Sequence, residues 1–246
     1  KPGEIQENQR LFMNQRNYQR ELDNLVKQNE ASGKVPKLLL HVCCAPCSSF
    51  CLESLAPHFD VTVFFCNPNI DDPEEYHRRA EEEKRLLREM NLPRPVGFLE
   101  GEYSPERFHE AVRGHETDPE GGERCGICFE LRLRESAKAA KAGGFDYFTT
   151  SLTISPMKSA PRLNAIGERI GAEEGVAFLP SDFKKKNGFL RSTELSREYG
   201  LYRQDYCGCS YSKREAAARK AQCSSAAKTD SAIVSASESS CRRCSS

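Results

Sequence analysis

The chain has 246 residues, enough for one sizeable α/β domain, and its 36 basic residues are balanced by 36 acidic ones. A nucleic-acid partner would therefore have to be bound by a local basic patch, because the overall charge of the molecule does not attract one. No apolar run approaches the roughly 20 residues of a membrane span, and the N-terminal segment lacks the apolar core of a secretory signal, so we expect a cytoplasmic protein with no membrane partner.

The predicted elements, taken in chain order, are typical of a parallel sheet covered by helices. An amphipathic helix between residues 5 and 30 comes first, and five short apolar segments then alternate with helical ones. The predicted strands are Leu38–Val42, Val61–Phe65, Val96–Leu99, Phe145–Thr149 and Val176–Leu179. The predicted later helices are Ser48–Leu55, a long helix capped by Asp72, Ser104–Val112, Phe129–Lys141, Pro161–Ile170, Ser192–Tyr199 and a last helix from Tyr211. This alternation predicts a single-domain Rossmann-like (HUP-like) α/β fold.

Composition divides the chain into three parts. We expect a helical segment in residues 1–32 that packs on the domain, the Rossmann-like catalytic domain in residues 33–222, and a tail in residues 223–246. The tail is rich in serine and poor in apolar residues, so it is predicted to be disordered. Its CxxC pattern, Cys241 and Cys244, is interpreted as incidental, because no structured residues are expected around it.

Twelve cysteines are many for such a chain. Secreted disulfide frameworks are usually shorter and rich in loops, so clustered cysteines in this sequence indicate metal or redox chemistry. Seven of them form three clusters in predicted loops: Cys43, Cys44 and Cys47, then Cys125 and Cys128, then Cys207 and Cys209. The first cluster follows the carboxyl end of the first strand, where open α/β sheets bind ligands. The isolated Cys51 and Cys66 fit buried thiols that pack as small apolar side chains.

The clustered thiols are more numerous than one metal centre requires. A tetrahedral zinc takes four ligands, and four thiolates also hold an iron–sulfur cluster, so two or three thiols remain. The remaining thiols can form a redox-active dithiol or bind a second metal. His41, directly before the first cluster, is interpreted as a residue that caps the strand rather than as a ligand.

Basic and aromatic residues follow the later strands at the predicted ligand edge of the sheet. The run KKK and the segment LYRQDY suit the backbone and an unstacked base of RNA, although a solvated loop and ordinary helix packing explain them as well. The candidate RNA contacts are Lys184, Lys185, Lys186, Arg191, Tyr202 and Arg203. The chain has neither a Walker loop nor a GxGxxG motif after its first strand, which argues against the usual nucleotide-binding modes.

Six blocks of sequence, in order, resemble the QueH family of epoxyqueuosine reductases over about residues 17–215. They are LLLHVCCAPCSS, VTVFFCNPNI with the following EYHRR, PEGGERCGICFELRL, TTSLTISPMKS, DFKKKNGFLRS and LSREYGLYRQDYCGCSYS. The resemblance implies an enzyme that reduces epoxyqueuosine to queuosine, the last step of queuosine biosynthesis, with an iron–sulfur cluster on a Rossmann-like fold. The substrate it implies is the wobble base of tRNAs with a GUN anticodon, those for aspartate, asparagine, histidine and tyrosine.

The same resemblance implies roles for the clustered thiols. It implies that a [4Fe–4S] cluster is bound by Cys43, Cys44, Cys125 and Cys128. Cys207 and Cys209 would be the catalytic redox-active pair or the ligands of an additional iron, and Cys47 is a candidate ligand of that second, mononuclear iron. An electron donor of unknown identity is required. The candidate proton donors are Lys158, Asp205 and Tyr206.

Three other functions remain open from the residues alone. A metal-bearing RNA-binding protein without catalysis would have no use for the CGC thiols. A transferase of the tRNA-thiolation type would need an SGGxDS loop after the first strand, where CCAPCSS stands instead. A soluble iron–sulfur electron carrier would not need the basic loops.

Overall fold

Five parallel strands form the centre of the protein. The computed structural model describes residues 16–221, so the predicted tail, Cys241 and Cys244 lie outside the described residues, as does the start of the predicted first helix. The strands are β1 (Lys37–Val42), β2 (Asp60–Phe65), β3 (Gly97–Glu100), β4 (Tyr147–Thr150) and β5 (Ala177–Phe178). Their order across the sheet is β3-β2-β1-β4-β5, and every pairing is parallel. The predicted α/β fold with a parallel, Rossmann-like sheet is confirmed.

Helices alternate with the strands. They are α1 (Tyr18–Ala31), α2 (Ala45–Leu55), α3 (Pro73–Glu89), α4 (Pro105–Ala111), α5 (Glu123–Ala142), α6 (Ala160–Glu174), α7 (Gly188–Glu198) and α8 (210–221), with a 3₁₀ turn at Ser151–Ile154. Asp72 caps α3 as predicted, because its side chain accepts the backbone N–H groups of Glu74 and Glu75. Across residues 16–221, no helix combines the length and apolar character needed to cross a lipid bilayer.

Three helices begin several residues earlier than the sequence predicts. Helix α2 begins three residues before its predicted start, α5 six and α7 four. Cys47 and Cys125 therefore lie in first helical turns and Cys128 lies in the second turn of α5, and none of them is in a loop. Glycine and cysteine are weak helix formers, which is why the pattern in CGIC gives no helical signal. Pro46 fits the first turn of α2, because the amide N–H that proline lacks has no partner there in any helix.

The sheet is buried on both faces, which explains the apolar runs in its strands. Leu38 and Leu40 of β1 pack into one hydrophobic cluster, and Leu39, which points to the opposite face, packs into another. All three side chains are fully buried. Each contributes about 1.5–3 kcal/mol through the area it removes from water. Helix α1 packs against the first cluster through Leu22.

The topology places a ligand crevice beside the first cysteine cluster. From β1 the chain proceeds to β2 and β3 on one side of the sheet, and it then crosses to β4 and β5 on the other side. Between β1 and β4 the direction of progress reverses, and open α/β sheets bind ligands at the carboxyl ends of strands that flank such a point. Cys43 follows the end of β1, and Thr150 ends β4. The chemistry-bearing loops are therefore expected at this edge.

A carboxyl group is buried where α3 packs on α2. Glu83 is fully buried, and Ser48 Oγ donates a hydrogen bond to Glu83 Oε2 at 2.8 Å. Burial is the main cause that raises the pKa of Glu83, to about 8. The folded protein therefore holds this group protonated at a pH where an unfolded chain has released the proton.

We expect Glu83→Gln to reduce the dependence of stability on pH. The pKa of Glu83 lies near 8 in the folded state and at about 4.3 in an unfolded chain, so the folded state binds more protons between these values. Stability must then fall as the pH rises through this window, by up to about 5 kcal/mol for a single group. Gln is neutral at every pH. The free energy of unfolding of the variant, measured with urea, should therefore fall less between about pH 5 and about pH 8 than that of the wild type.

Glu81, on the exposed face of the same helix, provides the matched control. Its hydrogen bond with Lys84 lowers its pKa, so it stays ionised across the same range. The free energy of unfolding of Glu81→Gln should therefore depend on pH in the same way as that of the wild type. If the free energy of unfolding of Glu83→Gln depended on pH as strongly as that of the wild type, the conclusion that Glu83 is a buried, protonated carboxyl would be wrong.

Candidate active site

The CCAPC segment brings three thiols together at the end of β1. Cys43 follows the strand, Cys44 is the N-cap residue of α2, and Cys47 lies in the first turn of that helix. The Sγ atoms of all three lie within 4.8 Å of one another, with 3.7 Å between those of Cys43 and Cys44. The backbone turn from strand to helix creates this arrangement, because the carbonyl of Cys44 accepts the N–H of Cys47. Three thiols at these distances are able to bind one metal ion.

The other two cysteine motifs meet in a second group of thiols. Cys125 and Cys128 stand three residues apart in the first turns of α5, and the Sγ atoms of Cys207 and Cys209 lie 3.6 Å apart. All four line one small cavity. Gly208 makes the CGC turn possible: its φ is +125°, and an added Cβ would come within 2.6 Å of an Ile70 side-chain carbon. Only glycine adopts this conformation without strain.

The two groups of thiols face adjoining cavities. The larger cavity, of about 430 Å³, is lined by Cys43, Cys44, Cys47 and Cys207. Both cavities share a wall that includes Cys207, Arg132 and Lys158. The structure therefore brings all seven clustered cysteines to one site. Cys51 and Cys66 line neither cavity and are buried in the core, as expected of isolated thiols.

Arg132 is a site residue that the sequence analysis missed. Its side chain is 1% exposed, and it lines both cavities. Nη2 donates to Asn67 Oδ1 at 2.6 Å and Nε donates to His41 Nε2 at 3.3 Å, so both partners are neutral. Within residues 16–221 no carboxylate forms an ion pair with it, and a buried cation without a counter-ion is costly. A negative charge is therefore expected in the cavities that it lines.

His41 fixes the position of Arg132 and does not face the cavities. His41 Nε2 lies 3.3 Å from Arg132 Nε and 3.3 Å from the carbonyl oxygen of Cys66, and Nδ1 lies 2.9 Å from Thr150 Oγ1. Burial, together with the charge of Arg132, lowers the pKa of His41 to about 3, so the ring is neutral. Both ring nitrogens have partners within the protein, which agrees with the interpretation that His41 is not a metal ligand.

The thiolate charge is expected on one cysteine in each close group. Contacts with Cys44 and then Cys47 lower the pKa of Cys43, and Arg132 lowers it further. The contact with Cys209 lowers the pKa of Cys207, with an additional contribution from the charge of Lys158. A thiolate is the form that binds metals and attacks electrophiles. The buried cation and these thiols fit a thiolate-bound metal group.

The CGC loop is held by residues of α3. Arg79, which is 1% exposed, donates from Nη1 to the carbonyl oxygen of Cys207 at 3.1 Å and from Nε to Glu75 Oε1 at 2.7 Å. The hydroxyl of Tyr202 donates to Glu75 Oε2 at 3.0 Å. Tyr202 is therefore engaged with this buried ion pair and does not line the larger cavity. The EYHRR block positions the CGC thiols through Arg79.

Two lysines of the KKK run have side-chain partners away from the thiols. Lys184 Nζ donates to the carbonyl of Thr153 at 2.8 Å, and Lys186 forms an ion pair with Asp23 of α1 at 2.7 Å. Lys185 and Lys186 line a separate cleft beside α1. The structure thus does not bring this run to either thiol cavity.

The two arginines of the predicted RNA-binding set differ in their surroundings. Arg191 forms an ion pair with Glu53 at 2.6 Å and does not line either thiol cavity. Arg203 is exposed, lines the larger cavity, and has no ion-pair partner in the part of the chain that the structure describes. Of the predicted set, Arg203 alone borders the site.

Comparison with known proteins identifies the family of this chain. Residues 38–215 match the family model described as epoxyqueuosine reductase QueH. Proteins named epoxyqueuosine reductase QueH from Streptococcus pyogenes serotype M1 and Staphylococcus epidermidis are 45% and 43% identical to it, over 80% and 78% of this chain and 78% and 83% of their own. The protein of that name from Thermotoga maritima is 35% identical over 76% of this chain and 95% of its own. The chain belongs to the QueH family of epoxyqueuosine reductases.

Proposed function

We propose that this protein converts epoxyqueuosine to queuosine in tRNA, the last step of queuosine biosynthesis, as an iron–sulfur-dependent oxidoreductase. The observation that carries the proposal is the placement of all seven clustered cysteines on two adjoining cavities in a chain of the QueH family. The proposed substrates are tRNAs with a GUN anticodon, and the proposed location is the cytoplasm. We assign the chemistry to residues 33–222, on which helix α1 packs.

The net reaction sets what the site must supply. Removal of the epoxide oxygen leaves a carbon–carbon double bond and consumes two electrons and two protons, and the oxygen departs as water. Cys207 and Cys209 can supply both electrons and one of the protons, because oxidation of a thiolate and a thiol to a disulfide releases two electrons and one proton. The second proton must come from a separate donor. Their Sγ atoms are 3.6 Å apart. An external electron donor must then reduce the disulfide before the next turnover.

We propose that Cys43, Cys44, Cys125 and Cys128 hold a [4Fe–4S] cluster and that Cys47 binds an additional mononuclear iron. The close Cys43, Cys44 and Cys47 group and the unpaired charge of Arg132 support a thiolate-bound metal here. When bound, such a cluster supplies electrons one at a time. Arg132 then serves as the counter-ion of the thiolates, since it lines both cavities.

Lys158 is the proposed proton donor. It lines both cavities; burial alone would lower its pKa, but the thiolates of Cys207 and Cys43 outweigh burial and raise it. Asp205 pairs with Lys220, which lowers the pKa of Asp205, so this carboxylate is ionised at neutral pH and has no proton to give.

An anaerobic single-turnover reaction tests the function. The purified protein, reduced with a strong chemical reductant, is mixed with tRNA that carries epoxyqueuosine, and the nucleosides are then separated by mass spectrometry. We expect queuosine, one oxygen atom lighter, in an amount equal to the enzyme. Absence of queuosine from a protein with its full content of iron would refute the proposal.

The ligand assignment predicts a difference between two cysteines of similar chemistry. Cys125→Ala should lose most of the iron and sulfide of the purified protein, because it removes a proposed cluster ligand. Cys51→Ala, a buried thiol that lines neither cavity, should retain both. Iron and sulfide analysis after anaerobic purification decides this. Full iron content in Cys125→Ala would require that the cluster ligands be reassigned.

A further inference from the structure

The mouth of the larger cavity carries apolar side chains that no part of the described chain covers. Phe189, in the first turn of α7, is 43% exposed, and Met157 is 61% exposed. Both line the cavity beside the thiols. In the described residues the other exposed large apolar side chains are Val35, Leu99 and Leu190, none of which lines it. Exposed apolar groups at the rim of a polar cavity are characteristic of a ligand-binding surface.

Phe189 is held rigidly at this rim. Gly188, the residue before it, lies so close to the Phe50 ring and the Phe183 carbonyl that an added Cβ would clash with both. The first turn of α7 is therefore fixed against α2. A ring on a fixed turn loses little conformational freedom when a flat ligand stacks on it.

The same cavity is bordered by cations suited to phosphate. Arg203 is exposed and has no ion-pair partner within residues 16–221. Arg219 also lines the cavity, at 3.4 Å from Glu120. An exposed aromatic ring next to an unpaired cation is the combination that binds an unstacked nucleotide, with the base on the ring and the phosphate on the cation. Double-stranded RNA offers no exposed base face, and it would not use the ring.

We propose that Phe189 and Met157 form a stacking platform for the nucleotide next to the modified one, and that Arg203 binds the phosphate between them. The proposal rests on the proposed function, because it takes the anticodon loop of tRNA as the ligand. The platform holds the neighbouring base outside the cavity while the modified base enters toward the thiols. It assigns RNA recognition to the cavity mouth, away from the KKK run.

Binding of a fluorescent anticodon stem-loop RNA, measured by anisotropy at several salt concentrations, tests the platform. Phe189→Ala should weaken binding about tenfold without changing the dependence on salt, because stacking releases no counterions. Arg203→Gln should weaken binding, and it should reduce by about one the slope of the logarithm of the affinity against the logarithm of the salt concentration. Phe189→Tyr should restore the affinity, and Leu190→Ala, an exposed neighbour outside the cavity, should bind within about twofold of the wild type.

Reduction of the stem-loop that carries epoxyqueuosine is measured with the same proteins. If the wild type binds and reduces it and Phe189→Ala binds equally well, the platform is wrong and the reductase function stands. If the wild type binds without reducing it and Phe189→Ala binds more weakly, the platform stands and the reductase function fails. Binding of a fully paired RNA as tightly as the stem-loop would overturn the platform, and absence of RNA binding by the wild type would overturn both.

Discussion

Cys207→Ser and Cys209→Ser are expected to retain most bound iron and the affinity for tRNA, and to form no queuosine. The two Sγ atoms lie 3.6 Å apart and line the cavity that also holds Cys125 and Cys128. A hydroxyl cannot form a disulfide, so each substitution removes the pair that stores two electrons. Single turnover with a strong reductant is the measurement, because it tests the chemical step and not electron delivery by a partner protein.

Ser212 offers a control for the local structure of this pair. Its backbone and side chain contact the CGC turn, with Oγ 3.1 Å from Cys207 Sγ. Ser212→Ala removes three hydrogen bonds to the CGC turn but neither thiol, so we expect this variant still to form queuosine in a single turnover. Normal turnover by both cysteine variants would show that the pair is structural. Complete loss of the cluster from both would show that CGC supplies cluster ligands.

The sheet could be predicted from the sequence because its strands are buried on both faces. Runs such as that of β1 are then mostly apolar, with His41 as an exception, and their alternation with helices indicates the fold class. The position of CCAPC at the ligand edge of the sheet could also be predicted, because the cluster directly follows the carboxyl end of a strand. The starts of α2 and α5 could not be predicted, because packing and not helix propensity decides whether proline, glycine and cysteine join a first turn.

The parts of the site that the sequence did not predict depend on contacts between distant segments. Arg132 is one of several arginines on a charged helix, and only the fold brings it to Asn67 and His41 from other elements. The KKK run has the composition of a phosphate-binding loop, but Lys186 pairs with Asp23, which is 163 residues earlier in the chain. A local pattern carries no information about such partners.

Arg132→Met is expected to lower the affinity for iron about 10- to 100-fold, the range seen when a residue that supports metal ligands is lost. The guanidinium is buried, has no carboxylate partner in the described part of the chain, and lines both thiol cavities. Met has a similar length without the charge, so the thiolates of both groups lose their counter-ion. Iron titration of the reduced, metal-free protein measures the affinity. A second expected consequence is a higher pKa of Cys43, because Arg132 helps to lower that pKa in the wild type. The rate of thiol alkylation as a function of pH measures this change.

Two further variants separate the charge of Arg132 from its position. Arg132→Lys keeps a cation but loses the forked guanidinium that bonds to both Asn67 and His41, so we expect an intermediate affinity for iron. Asn67→Ala keeps the guanidinium and removes its 2.6 Å acceptor, which should loosen its position and leave the thiol pKa close to that of the wild type. Loss of a buried ion without a carboxylate partner need not destabilise the fold, so a stable Arg132→Met protein is expected. If that protein binds iron as tightly as the wild type, with an unchanged thiol pKa, then Arg132 is not the counter-ion of the thiolates, and the negative charge that its burial requires must come from the RNA substrate.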